Sequence, residues 1–240
     1  MYHWMKCLSS ALAVALFLNS GFAAEETDSS SGFVSMFDGK TLAGWSVSTP
    51  RAAQAWYVKD GMIVGAGDKG RSYLVYDKKD VADFEMKFTY RFPSKGNSGV
   101  NIRARVDETG RRDFQSYHVD IGEVGIGKQV LGAWDFHTPG RREHACFRGD
   151  RLVIDENDKP AVTKIEGAVT VADIRKGGWN EVHIVAKENN FKFSINGKPA
   201  SEFTEHLKPE KRLHKGMIQL QLHDPGMIVH FKDLKIKILK

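Results

Sequence analysis

Val100-Asn101-Ile102-Arg103-Ala104-Arg105-Val106 alternates apolar and polar side chains residue by residue, and so does Tyr117-His118-Val119-Asp120-Ile121. Far along the chain, Ile218-Gln219-Leu220-Gln221-Leu222-His223 repeats the pattern. Successive side chains of a β-strand point to opposite faces, so each run buries one face and presents the other. The presented faces carry Asn101, Arg103 and Arg105, then His118 and Asp120, then Gln219, Gln221 and His223. A sheet face that is merely wetted fills with Lys, Glu, Thr and Ser. Amides, guanidiniums, imidazoles and a carboxylate supply the donors and acceptors that hydroxyl-rich or anionic ligands need. The three runs predict a ligand site on one sheet.

Working outward, similar alternation marks residues 72–76, 84–92, 151–154, 181–186, 191–195 and 228–239. Asp60-Gly61, Lys95-Gly96-Asn97, Glu108-Thr109-Gly110 and Asn196-Gly197 punctuate these runs as turns. Many short strands at such spacing predict an all-β sandwich or barrel. The clearest hairpin joins residues 179–186 to 191–195, and Asn196-Gly197 turns the chain again. From Val171 to Lys176 there is room for one helical turn. Residues 122–150 break the alternation: they are Gly-rich and hold Trp134, Phe136 and Phe147 among Glu123, Asp135, His137, Arg141, Arg142, Glu143 and His144. A loop this long is functional or disordered. Its aromatic content predicts the former, a wall folded over the polar face.

The chain has 240 residues and a net charge of +5, but the basic residues are spread rather than gathered into the stripe that nucleic acid needs. Lys232, Lys235, Lys237 and Lys240 alternate with apolar residues as the wet face of a last strand, where Lys also shields a sheet edge. Lys6 followed by apolar residues 8–18, with Gly21 and Ala23 before a cut, reads as a signal peptide over residues 1–23. The apolar stretch is short for a span, so no integral membrane segment remains after cleavage and the expected location is periplasmic or secreted. Residues 24–32 form an acidic, Ser-rich leader expected to be disordered. Residues 33–240 make one domain. Cys146 is the one thiol left after processing, so no internal disulfide forms and it reads as a small buried residue. Gly65-x-Gly67-x-x-Gly70 matches a dinucleotide fingerprint by letters alone, because no helix follows; no cofactor is expected.

A sugar suits the polar face: aromatic rings stack on its C–H surface, and amides, carboxylates and Arg pair with adjacent hydroxyls. Trp45, Trp56 and Trp134 are candidates for stacking, with Trp134 foremost beside Asp135; Asn101, Arg105, Gln221 and His223 are candidates for hydroxyl contacts. For acid–base chemistry His118 and Asp120 share one face, Glu123 and Asp135 approach from the loop, and Arg103 is placed to stabilise an oxyanion. His118, Asp120 and His223 are also a conceivable N/O metal set, but no tight ligand spacing supports it and no metal is assigned.

Phe37-Asp38-Gly39-Lys40-Thr41-Leu42-x-Gly44-Trp45 resembles the opening signature of the DUF1080 or 3-keto-disaccharide hydrolase family. Asn97-Ser98-Gly99-Val100 with Arg103, Trp179-Asn180-Glu181 running to Ile195-Asn196-Gly197, and Gly216-x-Ile218-x-Leu220-Gln221-Leu222-His223 before Val229-x-Phe231-Lys232-Asp233-Leu234 continue the resemblance in order. It implies an exported concanavalin A-like jelly-roll sandwich of two antiparallel sheets that acts on glycosides whose C3 hydroxyl is oxidised to a ketone. Trp134-Asp135 matches a loop Trp-Asp of many relatives, and Arg141 falls near its basic partner. Where relatives read Tyr-Glu-x-Gln-Ile, this chain has Tyr117-His118-Val119-Asp120-Ile121.

The implied chemistry is elimination: a C3 ketone acidifies the C2 proton, the resulting enolate expels the aglycone, and water adds afterwards. It needs a base, an anion stabiliser and an acid. His118 is expected as base, because an imidazole of ordinary pKa near 6.5 is largely neutral at neutral pH. Asp120 or Glu123 is its orienter or the acid, and Arg103 the anion stabiliser. The rival expectation is a non-catalytic glycan-binding domain of the same fold. A small sugar is the one partner implied, and the oligomeric state is left open.

Overall fold

The computed structural model describes residues 27–28, 32–67, 70–127, 129–138, 140 and 143–240. The expected signal segment, most of the leader, and Arg141 lie outside the described residues. The strands begin with β1 (Thr27–Asp28), β2 (Phe33–Ser35), β3 (Trp45–Val47), β4 (Trp56–Lys59), β5 (Met62–Gly67) and β6 (Ser72–Tyr76). β7 (Phe84–Arg91), β8 (Asn97–Val106), β9 (Phe114–Gly122), β10 (Trp134–His137), β11 (Asp150–Ile154) and β12 (Pro160–Lys164) follow. β13 (Asn180–Lys187), β14 (Asn190–Ile195), β15 (Lys198–Glu205), β16 (Met217–Leu222) and β17 (Met227–Ile238) complete the series. Short 3₁₀ turns are the helical content of the described residues, among them Val171–Asp173, closed by a Thr170/Asp173 capping box.

Two sheets form a concanavalin A-like jelly-roll sandwich. The smaller runs β10-β9-β8-β16-β6-β3; the larger runs β1-β2-β17-β7-β13-β14-β15-β11-β12, with β5 and β4 joined through β17. Pairing is antiparallel except between β11 and β15, which run parallel. β17 is paired on both sides, with β7 on one and β2 and β5 on the other, so its lysines do not guard an edge. They serve the outer face instead: Lys237 lies over the Phe33 ring and Lys232 over Trp179. Trp179 is accordingly half-buried under cations rather than in the core. The Asn196-Gly197 turn has positive φ at both residues (51° and 79°), the requirement of a tight hairpin turn, and it delivers β15 back onto β14.

The apolar faces meet between the sheets. Met86 and Phe88, Ile184, Phe191 and Phe193, and Phe203 from the larger sheet join Val100, Ile102, Tyr117, Val119, Leu220 and Leu222 from the smaller. Each such side chain contributes about 1.5–3 kcal/mol on burial. Trp45, Trp56 and Trp134 belong to this core as well. Trp134 sets its edge against Phe191, Phe193 and Phe203 and gives its Nε1–H to the Ser201 carbonyl, so the expected sugar-stacking role does not hold. β10 is the reason: strand alternation sends Trp134 and Phe136 inward and Asp135 and His137 outward. Cys146 is buried beside them, and burial pushes its thiol up to about 12.

Arg103 departs most from its expected position. The β8–β9 register shifts between Ile102 and Arg105, and Arg103 sits at that bulge with φ of 47°. A bulge adds a residue and re-aims the side chain. Arg103 is buried over the Phe191 ring, its Nε donating to Ala82 O, its Nη1 to Glu188 O and Leu213 O, and its Nη2 to Asp83 Oδ1 at 2.9 Å. Four of its five N–H donors are committed to holding the sandwich, and at 2% exposure the side chain has no access to an enolate.

Candidate functional site

The polar face of the smaller sheet is built as a row. Pairing registers set Asp135 of β10 beside His118 of β9, His118 beside Asn101 of β8, and Asn101 beside Gln219 of β16. Hydrogen bonds follow the row. His118 Nδ1 donates to Asn101 Oδ1 at 2.7 Å, Ser116 Oγ donates to the same oxygen at 2.9 Å, and Asn101 Nδ2 donates to Gln219 Oε1 at 2.8 Å. Because the Asn101 oxygen accepts, His118 carries its proton on Nδ1 and its Nε2 is a lone pair. That Nε2 lies 3.6 Å from Asp120 Oδ1. The ring lies over Gly99, where an added Cβ would overlap both the imidazole and the Val119 carbonyl. Gly99 is thus the residue that lets His118 lie flat.

This floor is sealed. His118 is 2% exposed and Asp120 7%. Burial, reinforced by His137, pushes His118 down to about 3. Burial and the charge of Asp135 push Asp120 up to about 8. Both effects have one cause, the cost of a charge out of water, and both leave the pair neutral at pH 7. The expectation of His118 as a base of ordinary pKa therefore fails on burial, and Asp120 is a neutral acid beneath it.

Two atoms of the floor stand out. Gln219 Nε2 and Gln221 Oε1 are buried and have no partner among the described residues. Gln221 Nε2 reaches Tyr73 Oη at 3.4 Å. An orphaned buried donor or acceptor costs about 1–3 kcal/mol. The two glutamines, two residues apart on one face, offer one donor and one acceptor, the complement of a single hydroxyl.

The open part lies at the β10 side. A cleft of about 650 Å³ is lined by Arg71, Arg112, Gln115, His137, Thr138 and Glu143 among others. A hollow of about 400 Å³ shares Arg71, Arg111, Arg112 and His137 with it and reaches Tyr73 and Phe114. At this mouth His137 Nε2 is 2.8 Å from Asp135 Oδ2, and the His137 ring stacks on His118 with centroids 5.7 Å apart. Burial alone would raise Asp135, but hydrogen bonds from His137 and Glu143 outweigh it and hold the carboxyl well below the usual range. Ionised Asp135 only accepts, so His137 donates its Nε2–H. Glu143 shows the reverse: sharing a proton with Asp135, and partial burial, raise it to about 7. Arg112 Nη2 stands 3.3 Å from Glu143 Oε2.

The remaining predicted residues fall around this arrangement. His223 Nε2 accepts from Arg71 at 2.7 Å and its Nδ1 donates to Asp224 Oδ1 at 2.6 Å, so it anchors a cleft arginine. Glu123 lies five residues past His118, about 16 Å along the strand, and does not join the row. Arg105 is exposed and gives its Nε to Gln115 Oε1, away from His118. Arg71 and Arg112 were not singled out by sequence, and His137 and Glu143 were named only as members of the stretch expected to wall the polar face. The signal for His137 was the alternation Trp134-Asp135-Phe136-His137; for Glu143, which meets Asp135 only through the fold, there was none. Among the described residues no three His, Cys, Asp or Glu side chains converge as metal ligands.

Comparison with known proteins adds four findings. A family model described as a 3-keto-alpha-glucoside-1,2-lyase-like domain matches residues 32–237. A 3-keto-disaccharide hydrolase of Bacteroides thetaiotaomicron is 30% identical over 265 residues, covering 96% of this chain and 88% of that protein. Among solved structures, a "putative glycosyl hydrolase" of Parabacteroides distasonis superposes with TM-score 0.58 at 19% identity, covering 88% of this chain and 96% of that one. The carbohydrate binding module CBM66 of Bacillus subtilis superposes with TM-score 0.53 at 12% identity, covering 81% and 95%. The last two establish the sandwich and nothing finer.

Proposed function

This chain belongs to the 3-keto-alpha-glucoside-1,2-lyase-like domain family, and from that premise we propose that it cleaves 3-keto-glycosides by taking the C2 proton and expelling the aglycone. A ketone at C3 makes the C2 proton acidic and places the C1 oxygen β to the carbonyl, so the enolate can eject it; water adds to the product. The step needs a proton carrier tuned near neutral pH and a cation beside the enolate oxygen.

The observation that carries this reading is the Asp135–Glu143 pair at the cleft mouth, two carboxyls sharing one proton with their pKa values driven apart. Such a separation assigns acid–base roles. Glu143, half exposed and titrating near 7, moves the proton. Asp135 stays ionised, tunes Glu143 and fixes the His137 tautomer. Arg71 and Arg112, on the cleft wall, offset the enolate charge. His118, stacked under His137, and Asp120 support the mouth from the sealed floor without moving protons. The signal-like residues 1–23 support work in the periplasm or outside the cell.

The test incubates the purified protein with a 3-keto-disaccharide and with its unoxidised parent, following free sugar. Release from the oxidised sugar alone is expected. Saturable binding of it without release would put the non-catalytic glycan-binding reading in its place.

A further inference from the structure

We propose a second site, an oxyanion-binding hollow where β8 ends, and it stands whether or not the chain is an enzyme. The hollow measures about 520 Å³, and Lys79, Arg105, Arg212, His214 and Lys215 line it against a single acidic residue, Asp80. Three separate segments bring these side chains together, four of them Lys or Arg: residues 79–80, the end of β8, and residues 212–217. Gly216 makes the approach possible, since a Cβ there would overlap the Ala104 carbonyl and the Arg103 backbone. The hollow is therefore part of the packed frame.

Its charge is poorly compensated from within. Lys215 stands 3.4 Å from Asp80, but both side chains are more than half exposed, and an exposed pair of that kind contributes little. Arg105 spends its Nε on neutral Gln115. The Nε of Arg212 is enclosed with no acceptor among the described residues. Arg103, whose backbone packs against Gly216, is paired with Asp83, so that carboxylate is spent outside the hollow. A buried guanidinium N–H without an acceptor, inside a ring of like charges, is relieved by a ligand that brings oxygens and negative charge. The planar fork of Arg212 matches two oxygens of one group, which selects sulfate, a phosphate or a carboxylate. Gln115, the partner of Arg105, lines the large cleft, so the two hollows share the Arg105–Gln115 pair as a wall. The group is either a free ion or a substituent on a glycan.

Titration calorimetry at fixed ionic strength, with chloride as control, tests the site using inorganic sulfate, inorganic phosphate and a sulfated oligosaccharide. Saturable binding of at least one is expected, weakened about tenfold or more in Arg212→Gln, the scale of one charge-assisted bidentate contact. The exposed double variant Lys79→Gln/Lys215→Gln should weaken it too, and serves if Arg212→Gln folds poorly. Tighter binding of the oligosaccharide than of sulfate assigns a glycan-borne group; equal affinity assigns a free ion. No binding above the chloride control, or binding unchanged in both variants, overturns the site.

Discussion

The floor and the mouth of the cleft use the same side chains, an imidazole beside a carboxyl, and reach opposite states. On the floor, His118 and Asp120 are both driven neutral by burial. At the mouth, 5.7 Å above ring to ring, His137 meets an Asp135 that stays ionised because it accepts hydrogen bonds from both sides. Residue type does not set the role; desolvation against hydrogen bonding does. The floor is suited to support the mouth as a neutral, buried network, the mouth to move a proton.

The largest effect that sharpens this contrast is expected from Asp135→Asn. An amide carries no charge to raise Glu143 and cannot share its proton, so turnover of a 3-keto-glycoside should fall by about two to four decades. Denaturant unfolding should change little. A variant that keeps its rate would erase the distinction between mouth and floor.

Gly99→Ala attacks the floor instead. Its Cβ would overlap the His118 ring and the Val119 carbonyl, so one strand must shift. Overpacking of that kind costs about 1–3 kcal/mol, read as a lower denaturation midpoint. An unchanged midpoint would mean His118 does not lie on β8.

A smaller effect comes from Asp120 through pH. Its pKa rises from 3.8 unfolded to about 8 folded, so the folded state binds the proton more tightly. Its contribution is therefore full below about 4 and lost as pH climbs towards 8. His118, lowered from 6.5 to about 3, acts the other way: its cost appears as pH falls from 6.5 towards 3. Between 6.5 and 8 the Asp120 slope is unopposed by His118. Asp120→Asn should lose less stability than the parent across that interval. Parallel curves would show that Asp120 is ionised.

How much of this was legible follows from the physics of each element. The strands over residues 100–106, 116–121 and 217–222 announce themselves because a half-buried strand must alternate, and the row Asn101–His118–Gln219 follows from them. Arg103 was misplaced because the alternation rule assumes no bulge, and its positive φ on a non-glycine residue leaves no mark in the sequence. β10 was hidden because four residues of alternation sit inside a Gly-rich stretch, and with it went the inward direction of Trp134. Glu143 meets Asp135 from eight positions further along the sequence, a contact made by tertiary folding. The neutral state of His118 depends on burial, which no residue name carries.

Hydrogen exchange at C2 separates mouth from floor most directly. A 3-keto-glycoside is incubated in D₂O with the parent protein, with Glu143→Gln and with His118→Gln, and loss of the C2 proton signal is followed by NMR. The expected result is C2 exchange or elimination with the parent, its near-complete loss in Glu143→Gln, and its persistence in His118→Gln. Exchange that survives in Glu143→Gln and vanishes in His118→Gln would place the base on the floor and contradict the account.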